Sequence, residues 1–338
     1  MSDHLSDYDY LLPQDRIAQT PVEPRDASRL LVVDRKTGAL THRIFRDIVE
    51  YLSPGDVLVV NSSRVRSARL WGRKPTGGRV EVFLLKPHGN DVWETLVSPG
   101  KRVPPGTHLE FDAGFTARVL ERTDAGGRIV RFEGADSLDE ALEAAGEVPL
   151  PPYITERLED PERYQTVYAR TLGSAAAPTA GLHFTPELLK TVRDKGVQVA
   201  EVVLHIGLDT FRPVKVEDLD KHVMHSEWYE ISEADARIIN EAVGRVFAVG
   251  TTTVRALESS ARADGLVHPG VAETRLFLRP GSEFRVVDAM VTNFHLPKST
   301  LVMLVSAFSR LELIMKAYRE AVECDYRFFS FGDAMLIL

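Results

Sequence analysis

Val246-Phe-Ala-Val-Gly-Thr-Thr-Thr-Val-Arg255 decides the fold class. Four apolar residues make a buried strand, Gly250 opens a turn, and the chain passes directly into a helix expected to start near Val254. The plan is already present upstream. Thr185-Pro186-Glu187 supplies an N-cap, a first-turn proline and a first-turn acid for a helix closed by Gly196, and the apolar run 197–204 reads as the next buried strand. Ser232 caps a further helix through about Val243. This alternation predicts an α/β domain with helices packed on a sheet.

Further towards the N-terminus the rhythm changes. A helix is expected around 45–52, and Ser53-Pro-Gly-Asp56 turns into the apolar run 57–60. From 64 to 132, short β-rich runs (80–85, 93–97, 115–120, 128–132) alternate with turns such as Thr76-Gly77-Gly78 and Pro104-Pro105-Gly106. Such spacing suggests a small barrel or sandwich. A brief helix, 138–145, ends at Gly146, and Val148-Pro-Leu-Pro-Pro152 is a stiff connector back to the first domain.

With 338 residues, 44% hydrophobic and 27% charged, the chain is long enough for two domains. Cys324 is its only cysteine, so no internal disulfide can form and a reducing compartment is expected. Acids stand where a secretory signal would carry a basic segment, and no apolar run approaches the roughly 18 residues that span a bilayer. A soluble, unprocessed, cytoplasmic protein is expected, without membrane attachment. The net charge of -8 argues against a nucleic-acid partner until its distribution is considered. From 57 to 80 there is no acid, while Arg64, Arg66, Arg69, Arg73, Lys74 and Arg79 fall there. That window, with Lys101 and Arg102, is a candidate positive face for RNA, set against the plainer reading of a solvated charge run.

Three turns carry candidate chemistry. The backbone N–H groups and hydroxyls of Thr251, Thr252 and Thr253 could hold a phosphate, carboxylate or ribose, or merely cap a helix. The loop 174–184 is rich in small residues that permit close approach of a ligand, with His183 at its edge. The cluster Thr292-Asn293-Phe294-His295-Leu296-Pro297-Lys298-Ser299-Thr300 gathers amide, imidazole, ammonium and hydroxyl groups before an apolar helix. His183, His205, His222, His225 and His295 all lie in turn-like contexts, which favours a site needing a proton acceptor near neutral pH. His222, His225 and Glu227 invite a zinc reading, but no further ligand motif accompanies them and no metal is expected. Dinucleotide, phosphate-loop and nucleophile-elbow signatures are missing.

With these blocks in view, the chain resembles the S-adenosylmethionine:tRNA ribosyltransferase-isomerases from Tyr8 to the C-terminus. The most specific stretches are Ala177-Pro-Thr-Ala-Gly-Leu-His-Phe-Thr185, Val249–Arg255, Thr292–Thr300 and Tyr326-Arg-Phe-Phe-Ser-Phe-Gly-Asp-Ala-Met335. Departures occur at Ser62, Asp209 and Ser282. The resemblance implies a large α/β domain, 1–62 and 149–338, interrupted by a small antiparallel β-barrel domain, 63–148. It implies transfer and isomerisation of the ribosyl part of S-adenosylmethionine onto 7-aminomethyl-7-deazaguanine in tRNA. The products would be epoxyqueuosine-tRNA, adenine and methionine. S-adenosylmethionine would be a co-substrate, no other cofactor is expected, and a monomer is expected. The competing readings are a non-catalytic RNA-binding protein and an S-adenosylmethionine-dependent RNA methyltransferase.

That reaction needs a base beside the sulfonium, groups for the ribose hydroxyls, and help for the departing purine. One of His183, His205 or His295 is the candidate base. Lys298 is grouped with them and, with Arg255 and Asn293, would position charged or polar parts of the donor. Thr179 and Thr251 to Thr253 would bind ribose or carboxylate, and Phe184, Phe294 or Tyr326 would face the sulfonium. Gly181, Arg212, His225, Glu227 and Ser299 complete the expected substrate-binding set.

Overall fold

The structure, a computed structural model, describes residues 4–89, 91–124, 126–207, 214 and 216–338. It divides into two compact units, Met1–Arg64 with Pro152–Leu338, and Val65–Pro151.

The first unit is built on a nine-stranded sheet. Its early strands are β1 (Arg29–Val33), β2 (Leu40–Ile44) and β3 (Val57–Asn61), followed by the short β4 (Ser63–Val65). The second unit supplies β5 (Arg69–Arg73), β6 (Arg79–Pro87), β7 (Val92–Ser98), β8 (His108–Phe111), β9 (Thr116–Arg122) and β10 (Arg128–Glu133). Then come β11 (Thr171–Ser174), β12 (Gln198–Leu204), β13 (Glu227–Ile231), β14 (Val246–Val249), β15 (Gly270–Thr274), β16 (Ala289–Asn293) and β17 (Ala334–Ile337). The helices are α1 (Leu138–Ala145), α2 (Pro186–Asp194), α3 (Glu233–Asn240), α4 (Thr251–Ser260), α5 (Thr300–Phe308) and α6 (Leu311–Glu323).

The sheet order is β15-β13-β12-β3-β14-β16-β17-β1-β2. β12, β3, β14 and β16 run parallel at its centre. Their residues are apolar on both faces, as a doubly covered sheet requires. Val57, Val59, Ala248 and Met290 pack with residues of α3, α4, α5 and α6. Leu58, Val60, Phe247 and Val249 pack on the opposite face with Phe45, Ile48 and the α2 residues Leu188, Leu189 and Val192. From β3 the chain steps through α2 to β12 on one side and through α3 to β14 on the other, so the winding reverses about β3. A reversal of this kind leaves a crevice at the carboxyl ends of the parallel strands.

Caps fix the helices, at Thr185 and Ser232 as expected and at Ser299 in addition. Thr185, Ser232 and Ser299 accept the backbone N–H groups of Leu188, Asp235 and Val302. α4 differs in starting three residues before the expected position. Gly250 alone makes the turn, at φ 91°, so the threonines form the first helical turn instead of a loop. The expected helix at 45–52 is a 3-10 helix, Phe45–Tyr51.

The second unit is a closed six-stranded antiparallel barrel, β10-β7-β6-β5-β8-β9. Leu70, Val82, Leu109, Ala117, Val119 and Val130 are buried in it, and Phe111, Phe115 and Phe132 stack as a cluster. Two of its strands, β5 and β8, escape the pattern-based reading. Arg-Leu-Trp-Gly-Arg is dominated by charge and carries a glycine, and His-Leu-Glu-Phe is only four residues long.

Candidate active site

The carboxyl ends of β14 and β16, with Ile206 beyond the end of β12, open into a cleft that is partly open to solvent. It is lined mostly by apolar atoms with a few converging polar groups, the usual character of a small-molecule site. Ala176 to Ala180 form one wall, Gly250, Thr251 and Thr252 a second, and Thr292 to Leu296 with Ser299 a third. Tyr153, Ile206, Leu301, Phe329 and Ser330 complete it. The α4 N-terminus and the Ser299-capped α5 N-terminus both meet the cleft, so partly positive backbone ends favour an anionic group there.

His295 is the histidine on this wall, and its backbone is clamped. Its N–H donates to Tyr318 Oη at 3.1 Å, and its carbonyl accepts the hydroxyl of Tyr10. Nε2 lies 2.7 Å from Thr292 Oγ1, and no hydrogen bond reaches Nδ1 among the described residues. Burial lowers its pKa to about 3, so the ring is neutral at physiological pH.

His183 stands one layer behind the cleft. Asn293 Nδ2 donates to its Nε2 at 3.1 Å, which makes Nε2 the acceptor and leaves the Nδ1 proton for Ser28 Oγ at 2.7 Å. Its ring stacks on Phe45 at 4.9 Å. Asn293 also donates to the Phe329 carbonyl, and its Oδ1 accepts from Thr179 at 3.2 Å. His183 therefore orients Asn293, and through it Thr179, whose oxygen is left as an acceptor towards the cleft. Burial, with Arg327 and Arg25 nearby, holds the His183 pKa down at about 3.

Two histidines held neutral have a consequence for stability. In the unfolded chain each titrates at its ordinary value near 6.5, so between about pH 6.5 and 3 the unfolded state binds more protons than the folded one. The stabilisation is whole above that window and is lost as pH falls through it, by about 1.4 kcal/mol per pH unit for each histidine. Urea melts at pH 7, 6 and 5 are expected to show this fall before the carboxylates titrate. A flat stability between pH 6.5 and 5 contradicts it.

Thr252 is braced by a residue that the sequence reading left out of the site. Asn61, fully buried at the end of β3, donates to Thr252 Oγ1 at 3.3 Å and to the Leu204 carbonyl at 3.0 Å. Its Oδ1 accepts the N–H groups of Ser63 and Leu204. A fully committed amide among apolar strands is a costly arrangement unless it fixes geometry. Tyr153, Tyr10 and Ser330 were also missed. Ser330 falls within the block 326–335, whereas Tyr10 and Tyr153 lie in none of the specific stretches, and an isolated tyrosine or serine has no distinguishing spacing.

Several expected residues do not line this cleft. His205 stacks on Trp228 at 4.8 Å and backs onto Gly173, whose added Cβ would meet its ring at 2.6 Å. Lys298, in the left-handed region at φ 57°, pairs with Asp9 at 2.7 Å, and that partner raises its pKa. Gly181 is pressed against the Tyr168 hydroxyl. Phe184 is core, edge-on to Phe45, and Tyr326 is buried against Arg29 and His42. Of the three candidate sulfonium-facing rings, Phe294 alone reaches the cleft. Thr253 turns inward and donates to the Val249 carbonyl at 2.6 Å. Arg212 lies outside the described residues.

Arg255 and Glu227 line an adjoining lobe of about 760 Å3 with His222, His225, Phe277 and Leu304; Leu301 borders both cavities. The two charges form a buried ion pair, with side chains 8% and 5% exposed. Arg255 also donates to the Leu276 carbonyl at 3.2 Å, and Glu227 accepts the Gly207 N–H at 3.2 Å. Glu227 is thus committed to Arg255. The three potential metal ligands that do gather among the described residues are His42, Glu320 and Cys324.

Fold and cleft define an α/β protein with an inserted barrel and a cleft at the carboxyl edge of a mostly parallel central sheet. The family described as "Queuosine biosynthesis protein" matches residues 5–337. An S-adenosylmethionine:tRNA ribosyltransferase-isomerase of Symbiobacterium thermophilum is 59% identical, with 99% of each chain covered. One of Moorella thermoacetica is 58% identical at the same coverage. A crystal structure of the S-adenosylmethionine tRNA ribosyltransferase from Thermotoga maritima is 44% identical, covers 98% of this chain and 100% of that one, and superposes with a TM-score of 0.58. The chain belongs to the queuosine biosynthesis family of S-adenosylmethionine:tRNA ribosyltransferase-isomerases and is an enzyme.

Proposed function

We propose that the cleft holds S-adenosylmethionine and that the enzyme moves and isomerises its ribosyl group onto 7-aminomethyl-7-deazaguanine in tRNA. Epoxyqueuosine-tRNA, adenine, methionine and one proton are the products. The convergence of His295, Thr251, Thr252, Asn293 and Thr179 on one cleft carries this reading. The sulfonium acidifies the donor's C5′ hydrogens. His295, neutral, would take that proton on Nδ1 in the tautomer whose Nε2 donates to Thr292. Thr252 and Thr179, fixed by Asn61 and Asn293, would hold ribose hydroxyls while the tRNA amine attacks C1′ and adenine leaves. The enzyme would work in the cytoplasm, where tRNA matures, and as a monomer. No helix among the described residues is long and apolar enough to cross a membrane.

Chromatography of the small products formed from S-adenosylmethionine and the modified tRNA tests the reaction. Adenine and methionine in equal amounts support it. S-adenosylhomocysteine would identify a methyltransferase, and no product a binding protein.

The tRNA track is proposed on the barrel, in a narrower form than the basic window suggested. Arg64 belongs to the first unit and pairs with Glu162; Arg66 is taken by Asp139 and Arg69 by Glu81. Arg73, Lys74, Arg79, Lys101 and Arg102 remain. Arg73 faces Arg79 across β5 and β6, and the Lys74 ammonium donates to the Arg102 carbonyl, which gathers all five at one end of the barrel. Reversing Arg73 and Arg79 to glutamate is expected to weaken tRNA binding and to lower its salt slope by about 0.7 to 0.9 for each phosphate that the protein ceases to neutralise. Unchanged binding across a salt titration removes the proposal.

A further inference from the structure

A third cavity in the first unit, small and partly open to solvent, is lined by three arginines, Arg25, Arg163 and Arg327. Ser28, His183 and the backbone of residues 330–332 close it, and Ser330 lines both this cavity and the main cleft. The two are therefore neighbours across one residue.

Arg163 pairs with Glu23 and Arg327 with Asp333 at 3.8 Å. Arg25 has no carboxylate partner within ion-pair distance among the described residues. Its donors go to the carbonyls of Gln165 and Glu162, both at 2.9 Å, and of Leu182 at 3.3 Å. Direct pairing leaves Arg25 over, with Glu23, Asp160 and Glu162 offsetting its charge only from a distance. Burial first, then the proximity of Arg163, lowers the Arg25 pKa against the opposing pull of Glu23, Asp160 and Glu162. Arg327 also keeps a buried Nη2 without a hydrogen bond. Ser28 adds a neutral donor: because His183 gives its Nδ1 proton to Ser28 Oγ, the serine O–H is left to donate elsewhere.

We infer that this pocket binds one phosphodiester of the tRNA, next to the nucleotide whose base enters the cleft; the inference rests on the tRNA reaction proposed above. A phosphodiester brings a single negative charge, a tetrahedral array of acceptors and no cation, which matches convergent guanidinium groups of which one lacks a paired carboxylate. The aminoacyl end of S-adenosylmethionine fits less well. It carries an ammonium beside its carboxylate, and both carboxylates at the pocket are already paired. The barrel's basic cluster would add affinity, whereas this pocket would set the register of the target base.

Steady-state kinetics of the full chain with the modified tRNA test the inference, with Arg25→Gln and Arg327→Gln as variants and thermal melting of each as the folding control. Either variant, if folded, is expected to raise KM for tRNA about tenfold. KM for S-adenosylmethionine should move less than twofold, and the salt slope should fall by about 0.7. Arg327→Lys should restore part of the loss. In anticodon stem-loops carrying single methylphosphonates, one position flanking the modified base should weaken the wild type and not Arg25→Gln. A rise in the KM of S-adenosylmethionine instead would assign the pocket to the donor's carboxylate and overturn the inference. So would unchanged kinetics in both folded variants, or a methylphosphonate scan with no position whose effect depends on Arg25. Adenine release by the wild type is measured alongside; its absence would mean that the proposed reaction had failed, not the pocket.

Discussion

Turnover of a His295→Ala variant is expected to fall by a factor of roughly a hundred or more, the usual loss when a positioned general base is removed. The expectation rests on geometry. His295 is the histidine that lines the main cleft, its backbone is held on both sides by Tyr10 and Tyr318, and its ring is aimed by Thr292. The protein should still fold, since the deleted ring borders a cavity instead of filling the core. His183→Gln, which can keep a polar contact to Asn293, should lose less turnover and show its defect in KM for S-adenosylmethionine. Comparable turnover in His295→Ala and the wild type, measured by adenine release, would place the base elsewhere.

The largest effect on stability is expected from Glu227→Ala. Removing that carboxylate leaves the Arg255 guanidinium buried with only main-chain acceptors, and it strips the Gly207 N–H of its partner. Breaking one side of a buried pair costs about 3–5 kcal/mol, most of it from the uncompensated charge. Urea denaturation should register a fall of that size. A double variant, Glu227→Leu with Arg255→Met, should recover much of it because no charge is then stranded. A Glu227→Ala chain as stable as the wild type would mean that water reaches Arg255 and that the second lobe is not enclosed.

Much of the fold was legible because it is written in periodicity and punctuation. Val246–Val249 followed by Gly250, the Thr185 and Ser232 caps, and the turn-separated runs of the barrel are local signals that tertiary packing did not overrule. The misses have physical causes. β5 disappeared behind its arginines, and α4 was shortened because a threonine run after glycine resembles a loop until Gly250 is seen to make the whole turn by itself. The site was only partly legible. Residue types marked the correct turns, but sequence could not tell a ring that lines a cleft from one that stands behind it. His183 and His295 look equivalent in their motifs; Asn293 separates them by one layer. Asn61 and Tyr153 act through contacts to residues about 190 and 180 positions away, and short-range spacing holds no trace of such contacts.

The proposed reaction requires the sulfonium nucleoside to sit in the cleft at the sheet's carboxyl edge. A crystal structure of the enzyme with S-adenosylmethionine tests that directly. The donor is predicted with its ribose hydroxyls against Thr252 and Thr179 and its C5′ within reach of His295. Donor density at any other cavity, with this cleft filled only by water, would contradict it.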